Sequence, residues 1–325
     1  MKIFLLCLLA LPASAQLAFL NGNRPLADAH NCYPEDGRWA DRLDRALRSG
    51  FPIGIEQDLA WYNGRIVVSH TAETTGQEPD LRQHFFEKVR PLIEKELALG
   101  DRGSWPLIVL HFDFKDNREP LLRAVWKLLG EYESWITLAP KTGKRAELAP
   151  MQARPLLVLT EDNDAQEKVF FDEVPVGAQL RLFGSAHTTR PQTRDPKQRA
   201  HLAATLEPEK LLTEKPTNYR RWWNNSWAAV EEGAAPRAGA WTATDEARLK
   251  ALVDHAHKLG FWIRFYTLDG FSEAENQGWG ASYNFGSRAA AEIRWRAAIK
   301  AGVNLIATDQ YEALGALISG SPRNP

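Results

Sequence analysis

Residues 106–133 read PLIVLHFDFKDNREPLLRAVWKLLGEYE, a strand-length apolar run followed directly by an amphipathic helix pattern. In a strand, successive side chains point to opposite faces. This alternation predicts an outward apolar face over 106–115, made of Ile108, Leu110, Phe112 and Phe114. The opposite face points inward and carries His111, Asp113 and Lys115. The unit therefore predicts a barrel-type strand with polar groups at its C-terminal end.

The same alternation of strand and helix continues on both sides of this unit. Further strands are predicted at 25–31, 54–61, 65–70, 154–161, 178–184, 219–223, 261–268 and 303–308. Further helices are predicted at 38–49, 81–99, 244–259, 288–301 and 309–317, with Thr244 as the N-cap of the third. With 54–70 counted as one arm, eight βα units fit, which is typical of a parallel open sheet or a closed barrel. The prediction is a single (β/α)8 TIM barrel over residues 16–325.

The overall composition is that of an ordinary globular protein. The chain has 325 residues, of which 44% are hydrophobic and 25% charged, and a formal net charge of −1. This composition excludes a disordered or collagen-like chain. A net charge near zero argues against nucleic-acid binding by a basic surface.

The N-terminal stretch 1–15, MKIFLLCLLALPASA, predicts a secretory signal peptide. One lysine precedes a short apolar run, and Ala13-Ser14-Ala15 has the small residues of a cleavage site. The run is too short to span a membrane, so we expect export to the periplasm or medium without an integral membrane segment. Cleavage after Ala15 removes Cys7 and leaves Cys32 alone, so we expect no internal disulfide.

Polar residues collect at the C-terminal ends of the predicted strands, where barrel enzymes build their sites. Glu56 and Asp58 lie two residues apart on one strand, so both carboxylates leave the same face. A divalent cation would remove their repulsion, and Asp113 and Asn31 could add further oxygen ligands. An all-oxygen set predicts Ca²⁺ or Mg²⁺ rather than Zn²⁺.

Two histidines and two basic residues flank this predicted metal site. His30 and His70 would serve as acid and base, because imidazole titrates near neutral pH. Lys115 and Arg264 would offer positive charge to a substrate phosphate. Together these groups indicate phosphoryl transfer. Structural alternatives remain: exposed edge carboxylates, structural histidines, an internal Asp113–Lys115 ion pair and a buried structural Arg264. His111 lies one layer deeper and is interpreted as a core residue.

The segments that carry these residues resemble the glycerophosphodiester phosphodiesterase and phosphatidylinositol-specific phospholipase C superfamily. AHN (29–31) and GIEQDLAWYNGRIVVSH (54–70) match its first-strand His, E-x-D pair and second His, and HFDFKDN (111–117) matches its acid-x-Lys pair. WIRFYTLDG (262–270) and AGVNLIATDQYEAL (301–314) resemble its closing strands. His30-Asn31 stands where the superfamily usually has His-Arg, and this pair resembles the one in calcium-dependent phospholipase C. In form the sequence is closest to the altered-inheritance-of-mitochondria-like branch.

The resemblance implies an exported, metal-dependent phosphodiesterase that cleaves a glycerophosphodiester or a phospholipid headgroup phosphodiester. One divalent cation would be held by Asn31, Glu56, Asp58 and Asp113. His30 and His70 would act as acid and base on an attacking hydroxyl within the substrate, which gives a cyclic phosphate. The substrate would be a small molecule or a lipid, and we expect a monomer with at most peripheral lipid contact.

Two other classes of function remain open. A secreted glycoside hydrolase would use some of the 12 tryptophans to stack on sugars, among them Trp223. Glycosidases, however, need carboxylates that face each other across the bond, about 5–9.5 Å apart. A non-catalytic binding protein on a degenerate barrel is the second alternative. In the phosphodiesterase reading, Tyr266 and Trp223 are expected to line the substrate site.

Overall fold

Eight parallel strands pair in a closed circle around one axis. The computed structural model describes residues 13–35, 37–100, 102–272, 274–275 and 284–320. The strands are β1 (Leu26–Ala29), β2 (Ile53–Tyr62), β3 (Arg65–Val68), β4 (Ile108–Phe114), β5 (Ala139–Pro140), β6 (Leu156–Thr160), β7 (Gln179–Leu180), β8 (Phe183–Ser185), β9 (Arg220–Ser226), β10 (Trp262–Tyr266) and β11 (Leu305–Thr308). The barrel order is β1-β2-β4-β6-β8-β9-β10-β11, and β11 pairs with β1. The predicted (β/α)8 barrel is confirmed.

Helices cover the outside of this barrel. They are α1 (Ala13–Phe19), α2 (Arg42–Arg48), α3 (Glu87–Leu99), α4 (Glu119–Glu131), α5 (Asp164–Glu167), α6 (Pro196–Thr205), α7 (Pro208–Leu211), α8 (Ala243–Leu259), α9 (Arg288–Ala301) and α10 (Tyr311–Gly320). π-helical turns precede α3 and follow α5. None of the helices in the described ranges combines the length and apolar character that a membrane crossing needs.

The strand β3 is the one departure from parallel pairing in the main sheet. It pairs antiparallel with β2 through the turn Asn63-Gly64, whose residues have φ of 45° and 86°. Positive φ at both turn positions suits an Asn-Gly hairpin turn, as the sequence predicts. The hairpin continues β2 beyond the barrel and carries the chain toward His70.

The strand predicted at 178–184 is divided in two. Its first part, β7, pairs antiparallel with β5 outside the barrel, and its second part, β8, enters the barrel. The polar stretch 185–217, for which the sequence predicts no elements, contains α6 and α7. Residues 1–12 of the predicted signal peptide lie outside the described residues.

Gln16, in α1, contacts the residues at the N-terminal ends of β9 and β10. The buried side chain of Gln16 donates from Nε2 to the carbonyl oxygens of Arg221 and Gly260, at 3.1 and 2.9 Å. Its Oε1 accepts from Nη1 of Arg221 at 2.7 Å, and its backbone carbonyl accepts from Nε1 of Trp262. In the described parts of the chain, no carboxylate lies within 4.0 Å of Arg221. Burial lowers the pKa of Arg221 to about 9.

The N-cap of α8 differs from the sequence prediction. Thr242, not Thr244, caps the helix: its Oγ1 accepts from the backbone N–H of Asp245, and Asp245 reaches back to the N–H of Thr242. This capping box satisfies two N–H groups that the first turn cannot pair internally. Thr244 lies two residues after Thr242, inside the first turn of α8, and so cannot be the N-cap.

Replacing Thr242 with alanine is therefore expected to lower the free energy of unfolding by about 1 kcal/mol. Thr244→Ala is the matched control, since it removes the same atoms from an exposed site with no capping role. Urea denaturation of the two variants measures the difference. Equal losses would mean that the capping box does not stabilise α8.

Candidate functional site

A polar cavity of about 340 Å³ opens at the C-terminal end of the barrel strands. Nine of the sequence-predicted site residues line it, namely His30, Asn31, Glu56, Asp58, His70, Asp113, Lys115, Arg264 and Tyr266. Their roles stay predictions, but the closed barrel brings them together from four strands and their loops. The end of a parallel barrel is where loops from different strands converge.

Trp223 does not lie in this cavity. It is fully buried on the outer side of β9 among the apolar residues under α8 and α9, and its Nε1 donates to Oγ1 of Thr188 at 2.8 Å. The next residue, Asn224, lines the cavity. Because neighbouring side chains on a strand point to opposite faces, Trp223 must point outward. The expectation that Trp223 lines the substrate site was wrong.

Three carboxylates come together on two adjacent strands. Asp58 of β2 pairs in register with Asp113 of β4, and Glu56 lies two residues before Asp58. One oxygen from each of the three lies within 4.8 Å of the others. Burial, and then the charge of Asp113, raises the pKa of Asp58 well above its usual value. The three carboxylates are therefore held close at an electrostatic cost.

The donor set at these carboxylates fits a hard divalent cation. Oδ2 of Asp58 accepts from the hydroxyl of Tyr33 at 2.6 Å and pairs with Nζ of Lys115 at 2.8 Å. Oδ1 of Asp58 is buried and has no hydrogen-bond partner. Such an orphaned acceptor is rare in folded proteins and marks a place for an ion or water. Oxygen donors from Glu56, Asp58 and Asp113 suit a hard divalent cation such as Ca²⁺ or Mg²⁺.

Asn31 lies beside this group with a left-handed backbone, φ 48°. Its Oδ1 accepts from the hydroxyl of Tyr33 at 3.1 Å, and its backbone N–H donates to Oε2 of Glu56 at 3.3 Å. Its backbone carbonyl accepts from Nη1 of Arg42 at 2.7 Å. The amide nitrogen of Asn31 contacts Asp309 at 3.3 Å, and its amide oxygen is joined to Asp58 through the Tyr33 hydroxyl.

His30 is held by the closing strand of the barrel. Its Nδ1 lies 3.0 Å from Oδ1 of Asp309 and 2.8 Å from Nδ2 of Asn31, and Nη2 of Arg42 binds the other oxygen of Asp309 at 2.6 Å. Its Nε2 lies 3.6 Å from Oε2 of Glu56. Burial opposes protonation, but the negative charges of Glu56 and Asp309 outweigh it and raise the pKa of His30 to about 9.

The pKa of His70 is shifted in the opposite direction from that of His30. It is half-buried after β3, and Nδ1 lies 3.9 Å from Oε1 of Glu35. Burial, followed by the positive charges of Lys115 and His30, lowers the pKa of His70 to about 4. At neutral pH and without a cation, His30 is therefore an imidazolium and His70 a neutral imidazole. The pKa values of the two histidines of this cavity are thus shifted in opposite directions.

An NMR pH titration should show these two values directly. In protein freed of divalent cations, we expect the His30 ring to titrate near pH 9 and the His70 ring near pH 4. Adding Mg²⁺ or Ca²⁺ should lower the pKa of His30, because a cation at Glu56 offsets the carboxylate charge that raises it. An unchanged His30 titration in saturating cation would argue against metal binding at Glu56.

The two predicted phosphate-binding cations are engaged by carboxylates. Nζ of Lys115 lies 2.8 Å from Asp58 and 2.7 Å from Asp113, so the internal ion pair considered from the sequence is present. The buried guanidinium of Arg264 binds Asp28 and Glu56. Arg190, which sequence reasoning missed, also lines the cavity. Arg190 differs from Lys115 and Arg264, because no carboxylate of the described residues lies within 4.0 Å of it.

A chain of hydrogen bonds links five side chains at the cavity. Arg264 joins Glu56 at 3.1 Å to Asn224 at 3.1 Å, and Asn224 donates to Glu161 at 2.9 Å. The chain ends at His111, whose Nε2 contacts Glu161 at 2.6 Å. His111 is buried, as the sequence predicts, and its Nδ1 lies 3.6 Å from Glu56 without a hydrogen-bond partner.

Asp269, Asp309 and Arg42 form a second group that sequence reasoning left without a role. His30, Asp269 and Asp309 lie close enough to hold a metal ion. Asp309 is already neutralised by Arg42, and Asp269 accepts from Oγ1 of Thr308 and the N–H of Asp309. Oδ2 of Asp269 is buried without a hydrogen-bond partner, and burial followed by the charge of Asp309 raises the pKa of Asp269 to about 7. Because Arg42 and His30 already engage Asp309, we assign this group to the support of His30. The only sequence signal for it was the Thr-Asp pair in ATDQYEAL.

Comparisons with known proteins add little to this geometry. No family profile matches the sequence, and no curated protein matches it. A candidate glycerophosphodiester phosphodiesterase from Galdieria sulphuraria is similar in structure, with a TM-score of 0.42, 12% identity, and 91% of this chain and 98% of that one covered. Plasmodium falciparum HPPK-DHPS, wild type with STZ-DHP, gives a TM-score of 0.42 at 9% identity, covering 93% of this chain and 48% of that one. Similarity at this level does not bear on activity.

Proposed function

We propose that the protein is an exported, metal-dependent phosphodiesterase that cleaves a glycerophosphodiester or a phospholipid headgroup phosphodiester. The observation that carries the proposal is the orphaned Oδ1 of Asp58, whose carboxylate lies close to those of Glu56 and Asp113 in a cavity that His30 and His70 also line. Carboxylate oxygens for a hard cation and an imidazole pair for proton transfer are the groups that phosphodiester cleavage needs. The sequence resemblance agrees with this reading.

Asn31, Glu56, Asp58 and Asp113 would hold the cation, which when bound supplies Lewis-acid polarisation of a phosphate oxygen. Lys115 balances Asp58 and Asp113, and Arg264 fixes Glu56. The proposed chemistry therefore does not require Lys115 or Arg264 to leave its carboxylate partners.

His30 and His70 form the proposed acid–base pair. One takes the proton of the attacking hydroxyl and the other gives a proton to the leaving oxygen, which yields a cyclic phosphate if the attacking group belongs to the substrate. Asp309 holds the ring of His30 by its Nδ1 and leaves Nε2 facing the cavity. The stacked ring of Tyr266, with centroids 6.2 Å apart, covers one face of the His30 imidazole.

The other residues that line the cavity favour a substrate with a polar headgroup. Amides and carboxylates of Asn117, Glu161, Asn163, Gln166 and Asn224 face the side of the cavity beyond the carboxylates. Such groups hydrogen-bond hydroxyls and amines, and they do not match an acyl chain. The lining therefore favours a water-soluble glycerophosphodiester, or the headgroup end of a lipid, over binding of lipid tails.

A cleavage assay tests the proposal. Purified protein should hydrolyse glycerophosphodiesters or a bis-aryl phosphodiester, lose activity on exhaustive chelation, and regain it when Mg²⁺ or Ca²⁺ is restored. Polysaccharide substrates serve as the comparison. Phosphodiester cleavage that survives complete removal of cations would sink the metal assignment. Cation binding without cleavage of any phosphodiester would favour the binding-protein alternative, and cleavage of glycosides alone would favour the glycosidase.

Export and a monomeric state are part of the same proposal. Export rests on the predicted signal peptide, and the monomeric state is an expectation from the sequence. Intact-mass spectrometry of the protein recovered from the periplasm or medium should show a chain that begins at Gln16, and light scattering should give the mass of one chain.

A further inference from the structure

A second cavity adjoins the candidate active site on the loop between β8 and α6. It has a volume of about 420 Å³ and is lined by residues 190–194 and Arg199. Three of its six lining side chains are arginines: Arg190, Arg194 and Arg199. Arg190 lines this cavity and the active-site cavity alike, whereas Arg194 and Arg199 line only the outer one. Arg190 is therefore the side chain that the two cavities share.

This loop concentrates positive charge in a chain that has a formal net charge of −1. Between 187 and 201 there are four basic residues, the three arginines and Lys197, against one acid, Asp195, which leaves +3 with histidines neutral. Asp195 is engaged as the N-cap of α6, where its Oδ1 accepts from the N–H of Lys197 at 2.9 Å. No carboxylate of the described residues lies within 4.0 Å of the three arginines. All three arginines are exposed. An oxyanion in this cavity could form charge-assisted hydrogen bonds with their guanidinium groups.

The loop backbone is ordered by its own hydrogen bonds. The N–H of Thr189 donates to the carbonyl of Leu211 at 2.8 Å, and Oγ1 of Thr193 donates to Oε1 of Gln198 at 2.5 Å. Nη2 of Arg199 donates to the carbonyl of Thr193 at 3.1 Å. These bonds hold the loop and the Arg199 side chain against α6 and α7. A bound ligand would therefore have to order only the side chains of Arg190 and Arg194.

We propose that Arg190, Arg194 and Arg199 form a second oxyanion subsite, which takes a phosphomonoester or carboxylate group that the substrate carries in addition to its reacting phosphodiester. The inference rests on the proposed function, since it assigns a feature of the substrate of the same site. The reacting phosphate belongs beside the carboxylates and histidines, so Arg194 and Arg199 are left for a second negative group. The favoured substrates therefore carry an extra charge on the headgroup.

Glycerophosphoserine and glycerophosphoethanolamine test this subsite, because they differ only by the carboxylate of serine. The wild-type protein should show a higher kcat/KM for the serine compound. The double variant Arg194→Ala/Arg199→Ala should lower the serine-to-ethanolamine ratio roughly three- to tenfold, the size expected for two partly exposed guanidinium–oxyanion pairs. The ratio should also fall in about 0.5 M NaCl, which screens exposed charges. The control Arg48→Ala/Arg296→Ala removes the same charge from exposed sites on α2 and α9 and should leave the ratio unchanged.

A ratio near one in the wild-type protein, or a ratio that the Arg194/Arg199 double variant does not change, would overturn the subsite while the phosphodiesterase stands. Titration with inorganic phosphate, followed by NMR of the arginine Nε–H groups, separates the two proposals. If neither diester is cleaved, the proposed function fails. The subsite then stands only if phosphate binds the wild-type protein and the double variant weakens that binding by a similar three- to tenfold.

Discussion

Replacing His30 or His70 with alanine is expected to lower kcat/KM for phosphodiester cleavage by roughly 10²–10⁴-fold, the usual contribution of one acid or base. His30 is fixed by Asp309 on one side and lies 3.6 Å from Glu56 on the other. His70 completes the pair from the opposite loop. Steady-state kinetics on the same diester for each variant measures the loss.

His201→Ala is the matched control for both, because His201 is an exposed histidine on α6 that pairs with Glu232 outside the cavity. Each variant should keep the circular dichroism spectrum of the wild type, which separates lost chemistry from lost folding. If His30→Ala and His70→Ala both kept full activity against every diester that the wild type cleaves, the acid–base mechanism would have to be abandoned.

Asp58→Asn should remove cation binding and with it most of the activity. The change keeps the side-chain size but removes one charge from the only cluster of three carboxylates found in the described residues. A hard cation prefers charged oxygen ligands, so we expect cation affinity to fall at least about tenfold. In the wild type, added Ca²⁺ or Mg²⁺ should raise the melting temperature, because a ligand that binds only the folded state stabilises it. In Asp58→Asn that rise should be lost.

The stability of the cation-free protein gives a second readout with a definite sign. The folded-state pKa of Asp58 is raised, so its ionisation destabilises the fold as pH rises above the unfolded value, about 4. Asparagine cannot ionise, so as pH rises from about 4 to 7 the free energy of unfolding of cation-free Asp58→Asn should fall less than that of the wild type. The variant also loses the ion pair with Lys115, so the readout is this pH dependence and not the stability at one pH. Asp254→Asn, at an exposed ion pair on α8, is the control that should change neither readout. An equal pH dependence in Asp58→Asn and the wild type would contradict a raised pKa of Asp58.

The fold and one side of the site could be predicted from local patterns. The alternation in 106–115 was enough to turn His111, Asp113 and Lys115 toward the barrel axis, and the i, i+2 spacing placed Glu56 and Asp58 on one face. On β9 the same reasoning failed, because Trp222 and Trp223 are adjacent and equally apolar. Only the register with β10, which pairs Asn224 with Arg264, shows which of them points inward.

What the local patterns could not predict depends on contacts between distant segments. Asp309 supports His30 from 279 residues away, because β11 closes the barrel against β1. Arg190 lies in a polar loop without periodicity, so nothing in its neighbourhood indicates that it faces the cavity. Lys115 and Arg264 were expected to be available to a phosphate, but their carboxylate partners lie partly on neighbouring strands. The choice between Thr242 and Thr244 depends on where the chain enters α8.

The contacts of Gln16 limit where a leader peptide can be removed. A cut after Ala15 would leave Gln16 as the first residue, with its side-chain amide still bonded to Arg221. Loss of Gln16 would delete the only side chain of the described residues that hydrogen-bonds this buried guanidinium. Chains that begin one residue later should therefore be less stable, and engineered versions of this protein should keep Gln16 behind any N-terminal tag.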